Sequence, residues 1–202
     1  MTIRAIIWDM GGVLVRTEDP APRRRLATRL GLPVNTLDDI VFGSDGHLEA
    51  QLGQISARQQ WEQACRAVSW PLEDIAGFQM AFFAGDRIDF ALVEAIRRLR
   101  PRYLTGLLSN AMDDLRVQLE TNWKIADAFD AILVSAELGL VKPDPRIFQA
   151  ALEILNVSAA EAVFLDDFEK NIQGARAVGM HAIQFLNPQQ AWADLEHLLM
   201  QA

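Results

Sequence analysis

Short apolar runs recur along the chain, with longer-period patterns between them. Ile3–Trp8, Tyr103–Leu108, Ala131–Val134, Ala162–Leu165 and Ala182–Phe185 are each four to six residues long, largely apolar and rich in β-branched side chains. Continuous hydrophobicity, without polar alternation, is what a strand buried on both faces requires. Between these runs the period lengthens. Phe90–Arg100 carries Leu92, Val93, Ile96 and Leu99 on one face, and Asp113–Trp123 and Pro145–Leu155 also read as helices. Strands alternating with helices predict an α/β fold built on a doubly wound parallel sheet.

The stretch after the first strand breaks this alternation. From Arg16 to Asp86 no strand pattern stands out. Pro22–Leu30, Ser56–Val68 and Leu72–Ala84 read as helices, punctuated by Gly31, Pro33, Gly43, Gly46, Gly53 and Pro71. The expected division is an α/β core of residues 1–15 and 87–202 with a small helical cap of residues 16–86. The competing reading is that these helices simply pack on the sheet. There is no internal repeat or low-complexity tract.

Composition narrows the function classes. The chain has 202 residues, 50% of them apolar and 23% charged, which suits one well-buried domain or a core with an insertion. A net charge of -8 argues against nucleic acid and anionic membrane as partners, so any bound anion needs a locally positive site. Ile3–Trp8 is too short for a signal-peptide core or a membrane span, and a cytoplasmic location is expected by default. Cys65 is the only cysteine, so no intrachain disulfide can form. It reads as a buried structural thiol in a reducing compartment.

In a doubly wound sheet, ligands bind at the carboxyl ends of the strands. Those ends carry Asp9-Met10-Gly11-Gly12-Val13, then Ser109-Asn110, then after a short connection Lys142-Pro143-Asp144-Pro145, then Asp166-Asp167 with Asn171 a turn later. This set suits phosphoryl transfer to a carboxylate. The attacking carboxylate and the phosphate repel each other, and a hard divalent cation held by oxygens screens them. A lysine adds compact positive charge, and a hydroxyl with backbone N–H groups can hold the remaining phosphate oxygens.

Ile6–Val13, Leu108-Ser109-Asn110, Val141–Pro145 and Phe164–Asp167 together resemble the four ordered motifs of the haloacid dehalogenase superfamily, and Phe168–Met180 is similar to the helix that follows the fourth. The closest flavour is the small phosphatase-like group with a helical cap after the first strand. That group includes the phosphatase domain of soluble epoxide hydrolase and bacterial sugar-phosphate phosphatases. The resemblance implies a Rossmannoid core and a magnesium-dependent phosphoric monoester hydrolase acting on a small phosphorylated metabolite through an aspartyl phosphate. Asp9 would be nucleophile and metal ligand, Ser109 and Asn110 would bind phosphate, and Lys142 would bind it and neutralise charge. Asp167 and the Gly11 carbonyl would join Asp9 around Mg²⁺, with Asp166 and Asn171 in support.

One position departs from the family pattern. The first motif usually carries a second Asp, the general acid, where this chain has Gly11. Metal binding should survive, whereas general acid–base catalysis, typically worth roughly 10²–10⁴-fold, is impaired. Three outcomes fit: a preference for good leaving groups, a proton from another residue, or a protein that binds phosphorylated ligands with little or no turnover. Metal-independent haloacid dehalogenation is a further alternative, since halide leaves without protonation, but the Asp166-Asp167 pair favours a metal site. His47 in the cap is a candidate substrate or proton-transfer residue, although a lone His is more often structural. Asp144-Pro145 reads as an N-cap followed by Pro at the first helical position. Arg23–Arg25 reads as a solvated helix face, Trp61, Trp70, Trp123 and Trp192 as packing, and Trp8 as packing under the site.

Overall fold

The computed structural model describes residues 2–33 and 35–201. Its elements, in chain order, are β1 (Ala5–Trp8), β2 (Val15–Thr17), α1 (Ala21–Arg29), α2 (Thr36–Phe42), α3 (Asp45–Gln51), α4 (Ala57–Ala67), α5 (Ile75–Phe82), β3 (Asp86–Ile88), α6 (Phe90–Leu99), β4 (Leu104–Ser109), α7 (Leu115–Val117), β5 (Ala131–Val134), α8 (Ser135–Leu138), α9 (Pro145–Leu155), β6 (Ala162–Asp166), α10 (Glu169–Ala177), β7 (His181–Gln184) and α11 (Pro188–Gln201). Five strands form one parallel sheet in the order β5-β4-β1-β6-β7, so β1 lies at its centre, paired with both β4 and β6.

Alternation along β1 feeds two separate cores. Ile6 and Trp8 join Leu92, Val93 and Ile96 of α6 and Ala191 and Leu195 of α11 on one face. Ala5 and Ile7 join Ile147, Phe148, Ala151 and Leu155 of α9 and Ala175 of α10 on the other. Every residue of β1 is buried, as a central strand covered by helices on both sides must be.

The segment after β2 has its own apolar centre. Leu26, Ala27, Leu37, Val41, Trp61, Cys65, Phe78 and Phe82 are buried together there. Trp61 makes edge-on contacts with Phe78, Phe82 and Phe83. These helices form a small helical cap, and Cys65 is fully buried within it.

The structure adds to the sequence reading and corrects it in places. Strands exist at both ends of the 16–86 stretch: β2 and β3 pair antiparallel, Val15 opposite Ile88 and Thr17 opposite Asp86. The expected helix Asp113–Trp123 is regular only over Leu115–Val117, then widens into a π-type turn over Gln118–Asn122. There the Thr121 hydroxyl donates to the Val117 carbonyl at 2.6 Å, competing for an oxygen the regular ladder would use. The expected helix Leu72–Ala84 divides at Asp74, whose carboxylate accepts from the Gly77 N–H and starts α5 afresh.

Arg23 is also not a solvated residue. Its guanidinium pairs with Asp38 at 2.9 Å and Asp86 at 3.1 Å and lies 4.1 Å over the Phe82 ring, while Arg24 and Arg25 remain exposed. Trp8 is fully buried, with its ring stacked on Trp192 of α11 at 6.4 Å.

Candidate active site

The turn after β1 aims the first carboxylate. Asp9 extends the sheet ladder through its N–H to the Leu165 carbonyl, at 2.9 Å. The next residues fold tightly back: the N–H groups of Leu14 and Val15 both donate to the Met10 carbonyl, and that of Gly12 to the Val15 carbonyl. Gly12 has φ of +77°, and a β-carbon there would lie 2.2 Å from Oδ2 of Asp167, so only glycine lets the loop pass this close. Gly11 carries neither constraint. It is exposed, its φ is not positive, and a β-carbon there would meet nothing within 4 Å.

Lys142 joins the carboxylates. It is 2% exposed, and its Nζ lies 2.7 Å from Oδ1 of Asp9 and 2.6 Å from Oδ2 of Asp166. Oδ1 of Asp9 also accepts from the Met10 N–H at 2.7 Å, so among the described residues both contacts fall on that oxygen. Asp166 is fully employed as an acceptor. Oδ1 takes the Phe168 N–H at 2.8 Å and the Asn171 amide at 2.9 Å, and Oδ2 takes Lys142 and the same amide at 3.0 Å. Asp167 is the opposite case: its Oδ1 is sealed from solvent without a hydrogen-bond partner among the described residues.

These contacts sort the carboxylate pair and leave charge uncompensated. Oxygens of Asp9, Asp166 and Asp167 lie within 4.8 Å of one another, facing a single ammonium. Burial pushes the Asp9 carboxyl up to about 7, with Asp166 adding to the rise and Lys142 opposing it. Burial, with Asp166 again contributing, also raises Asp167. Buried charge of this kind is normally paired or bound to metal. The cluster is therefore able to hold a metal ion. Asp9 and Asp167 have oxygens left for it, whereas those of Asp166 are taken.

Ser109 and Asn110 end β4 beside this cluster. Ser109 is buried. The side chain of Asn110 grips the Lys142 backbone: its Nδ2 donates to the Lys142 carbonyl at 3.0 Å and its Oδ1 accepts the Lys142 N–H at 2.7 Å. The Asn110 side chain thus seats the lysine. From the cap, Gln51 reaches down and donates to the Asn110 carbonyl at 3.1 Å. Asp144 behaves as its spacing suggested, accepting from the Arg146 N–H at the start of α9 with Pro145 at the first helical position. The sequence reading passed over Gln51, which has no motif around it, and the tight constraint at Gly12, which a Gly-Gly pair only hints at.

A model of haloacid dehalogenase-like hydrolases matches residues 3–179. The chain belongs to this family. Sesquiterpene phosphatase astK of Aspergillus oryzae is 27% identical over 204 residues, covering 98% of this chain and 97% of that protein. Bifunctional epoxide hydrolase 2 of Mus musculus is 27% identical over 218 residues, 97% of this chain, which spans only 39% of the hydrolase's length. A haloacid dehalogenase family enzyme of Bacteroides thetaiotaomicron, crystallised with magnesium and inorganic phosphate, superposes with a TM-score of 0.78 at 22% identity, covering 96% of this chain and 98% of that one, a likeness of fold. The resemblance carried by the four motifs therefore holds for the family and for the α/β core with its small cap. In this haloacid dehalogenase-like hydrolase, the motif segments meet at one end of the sheet, around the Lys142 ammonium. Among the described residues no helix is long and apolar enough to cross a membrane.

Proposed function

We propose that the protein is a Mg²⁺-dependent phosphoric monoester hydrolase acting on a small phosphorylated metabolite, with residues 16–86 as its cap and the remainder as its catalytic core. The observation that carries this reading is the buried Asp9–Lys142–Asp166 cluster, with Asp167 beside it lacking, among the described residues, a partner for one oxygen. Asp9, Asp167 and the Gly11 carbonyl are the groups that would hold Mg²⁺. Bound there, the cation screens the repulsion between Asp9 and the phosphate.

The remaining roles fall to the chain's own residues. Lys142, oriented by Asn110 and Asp166, draws the phosphate oxygens and balances the charge of Asp9. Ser109 binds a further phosphate oxygen, and Asn171 holds Asp166 in place. An Asp9 carboxylate oxygen attacks phosphorus and the bond to the leaving alcohol breaks, leaving an aspartyl phosphate on Asp9. Water then attacks that phosphorus, phosphate departs and Asp9 is restored. Relatives that are phosphatases by name, among them a sesquiterpene phosphatase and a phosphatase of Mycobacterium tuberculosis, support the same reaction class.

Gly11 shapes the selectivity. With no carboxylate at that position the leaving oxygen departs as a developing anion, which favours aryl and anomeric sugar phosphates as substrates. The same glycine favours a second reading, a protein that binds phosphate esters with little or no turnover. Assay of purified protein on an aryl phosphate, with and without Mg²⁺, separates them. Multiple turnover in Mg²⁺ supports the hydrolase; a raised melting temperature in Mg²⁺ and a phosphate analogue, with no ester hydrolysed, supports the binder.

A further inference from the structure

The parallel sheet has two outer strands, and side chains reach over the backbone of both. Among the described residues β7 is paired on one side only, with β6. Just past β7 the Phe185 N–H donates to the Asp166 carbonyl at 2.9 Å. Backbone groups alternate in direction along a strand, so those of Ala182, Gln184 and Leu186 turn outward, away from β6. An outward row of this kind is a template for a further strand. A groove of about 680 Å³ lies along it, lined by β7, the end of α10 and α11, so the edge is accessible.

Side chains already take three of these outward groups. The Arg176 guanidinium, from the last turn of α10, donates to the Ala182 carbonyl at 2.9 Å. Gln190, in the first turn of α11, takes the other two. Its Nε2 donates to the Gln184 carbonyl at 3.1 Å, and its Oε1 accepts the Leu186 N–H at 2.9 Å. A residue of a parallel neighbour bonds a strand in the same way, its N–H to the carbonyl before the facing residue and its carbonyl to the N–H after it. The carboxamide thus stands where one peptide unit of a sixth strand would. Asp194 accepts from the same Nε2, which fixes the orientation of the amide. At the opposite side of the sheet, Arg116 donates to the Ile132 carbonyl of β5 at 2.9 Å and is held by Glu137 at 2.7 Å.

We propose that Arg176 and Gln190 act as a stand-in strand that closes the β7 edge against a second copy of this chain. A second copy is the partner to exclude, because it carries the same edge, and a two-fold pairing sets one patch against its own likeness. To pair there, both copies must first give up these side-chain bonds. The closure is independent of any reaction at Asp9.

Sedimentation velocity of the intact protein over a concentration series tests this. Arg176→Ala combined with Gln190→Ala removes both donors. The self-association constant should rise about tenfold or more over wild type, the worth of one or two backbone hydrogen bonds released to a partner. Hydrogen exchange read by NMR should then show the outward N–H groups of Ala182 and Gln184 protected in the associated form and not in dilute protein. Arg176→Lys, which keeps a donor, should behave as wild type. A double variant with an unchanged melting curve that associates no more than wild type would overturn the proposal. Association that leaves these two N–H groups unprotected would also overturn it, since another surface would then be responsible. Should the double variant melt early, Gln190→Ala alone is judged by the same two criteria.

Discussion

One ammonium set among three carboxylates is an arrangement that water-exposed residues rarely sustain, and its consequences begin with protonation. Asp9 holds its proton up to about pH 7, mainly because it is buried. Its folded-state value lies above the unfolded one, so the proton favours the folded form, and this contribution to stability is lost as pH rises from about 4 through 7. On the proposed function, Mg²⁺ would bind this carboxylate and displace that proton at lower pH. Its affinity should therefore rise by up to about tenfold per pH unit below 7 and level off above it. Calorimetric titration of Mg²⁺ at pH 5.5, 6.5 and 8 checks this, and an affinity flat across that range would remove Asp9 from the metal site.

The two glycines of the first motif make opposite predictions. Gly12→Ala meets Asp167 at 2.2 Å and forces a left-handed backbone on alanine, so it should cost about 1–3 kcal/mol of stability and weaken Mg²⁺ binding together. Chemical denaturation with and without Mg²⁺ measures both. Gly11→Asp has open space and an ordinary backbone, so it should fold. The restored acid should raise alkyl phosphate turnover most, narrowing the aryl-to-alkyl ratio of kcat/KM. An unchanged ratio in a folded variant would contradict the role assigned to that position.

At the scale of elements, what the sequence disclosed depended on how local the cause was. The strands of the main sheet were legible because burial on both faces leaves an unbroken apolar run. The candidate site was legible because Asp9, Ser109 and Asp166 each sit at or just beyond such a run, with Lys142 following the β5 run after a short connection. The β2–β3 ribbon was hidden: Val15-Arg16-Thr17 and Asp86-Arg87-Ile88 have no pattern of their own, and their pairing joins residues 69 to 73 positions apart. The task of Asn110 was hidden too, since nothing in the chain announces that its carboxamide will close on the backbone of Lys142.

Arg23 hides the same way, as one of three consecutive arginines. It ties α1 to Asp38 at the start of α2 and to Asp86 in β3, with 14% of its side chain exposed. Arg23→Ala should therefore destabilise the protein by about 1–3 kcal/mol, whereas Arg24→Ala should change little. Paired denaturation curves check this, and equal effects at the two sites would refute the buried role of Arg23.

At the scale of the whole molecule, the cap is seated on the catalytic end of the sheet at several points. Gln51 holds the Asn110 carbonyl, and the Ala57 N–H donates to Asp113 at 2.9 Å. Gly53 passes so close to Ala136 that a β-carbon would lie 2.2 Å from its carbonyl oxygen. A substrate at the carboxylate–lysine cluster would therefore meet the cap as well, which fits chemistry shielded from water. The proposed activity is hydrolysis of phosphate esters by this buried cluster, through Asp9 with Mg²⁺. Its most direct test is the steady-state rate on 4-nitrophenyl phosphate for wild type and Asp9→Asn, each in Mg²⁺ and in EDTA. Multiple turnover is expected only for wild type in Mg²⁺, restored after EDTA by added Mg²⁺; full activity in EDTA would remove the metal, and retained activity in Asp9→Asn would remove the nucleophile.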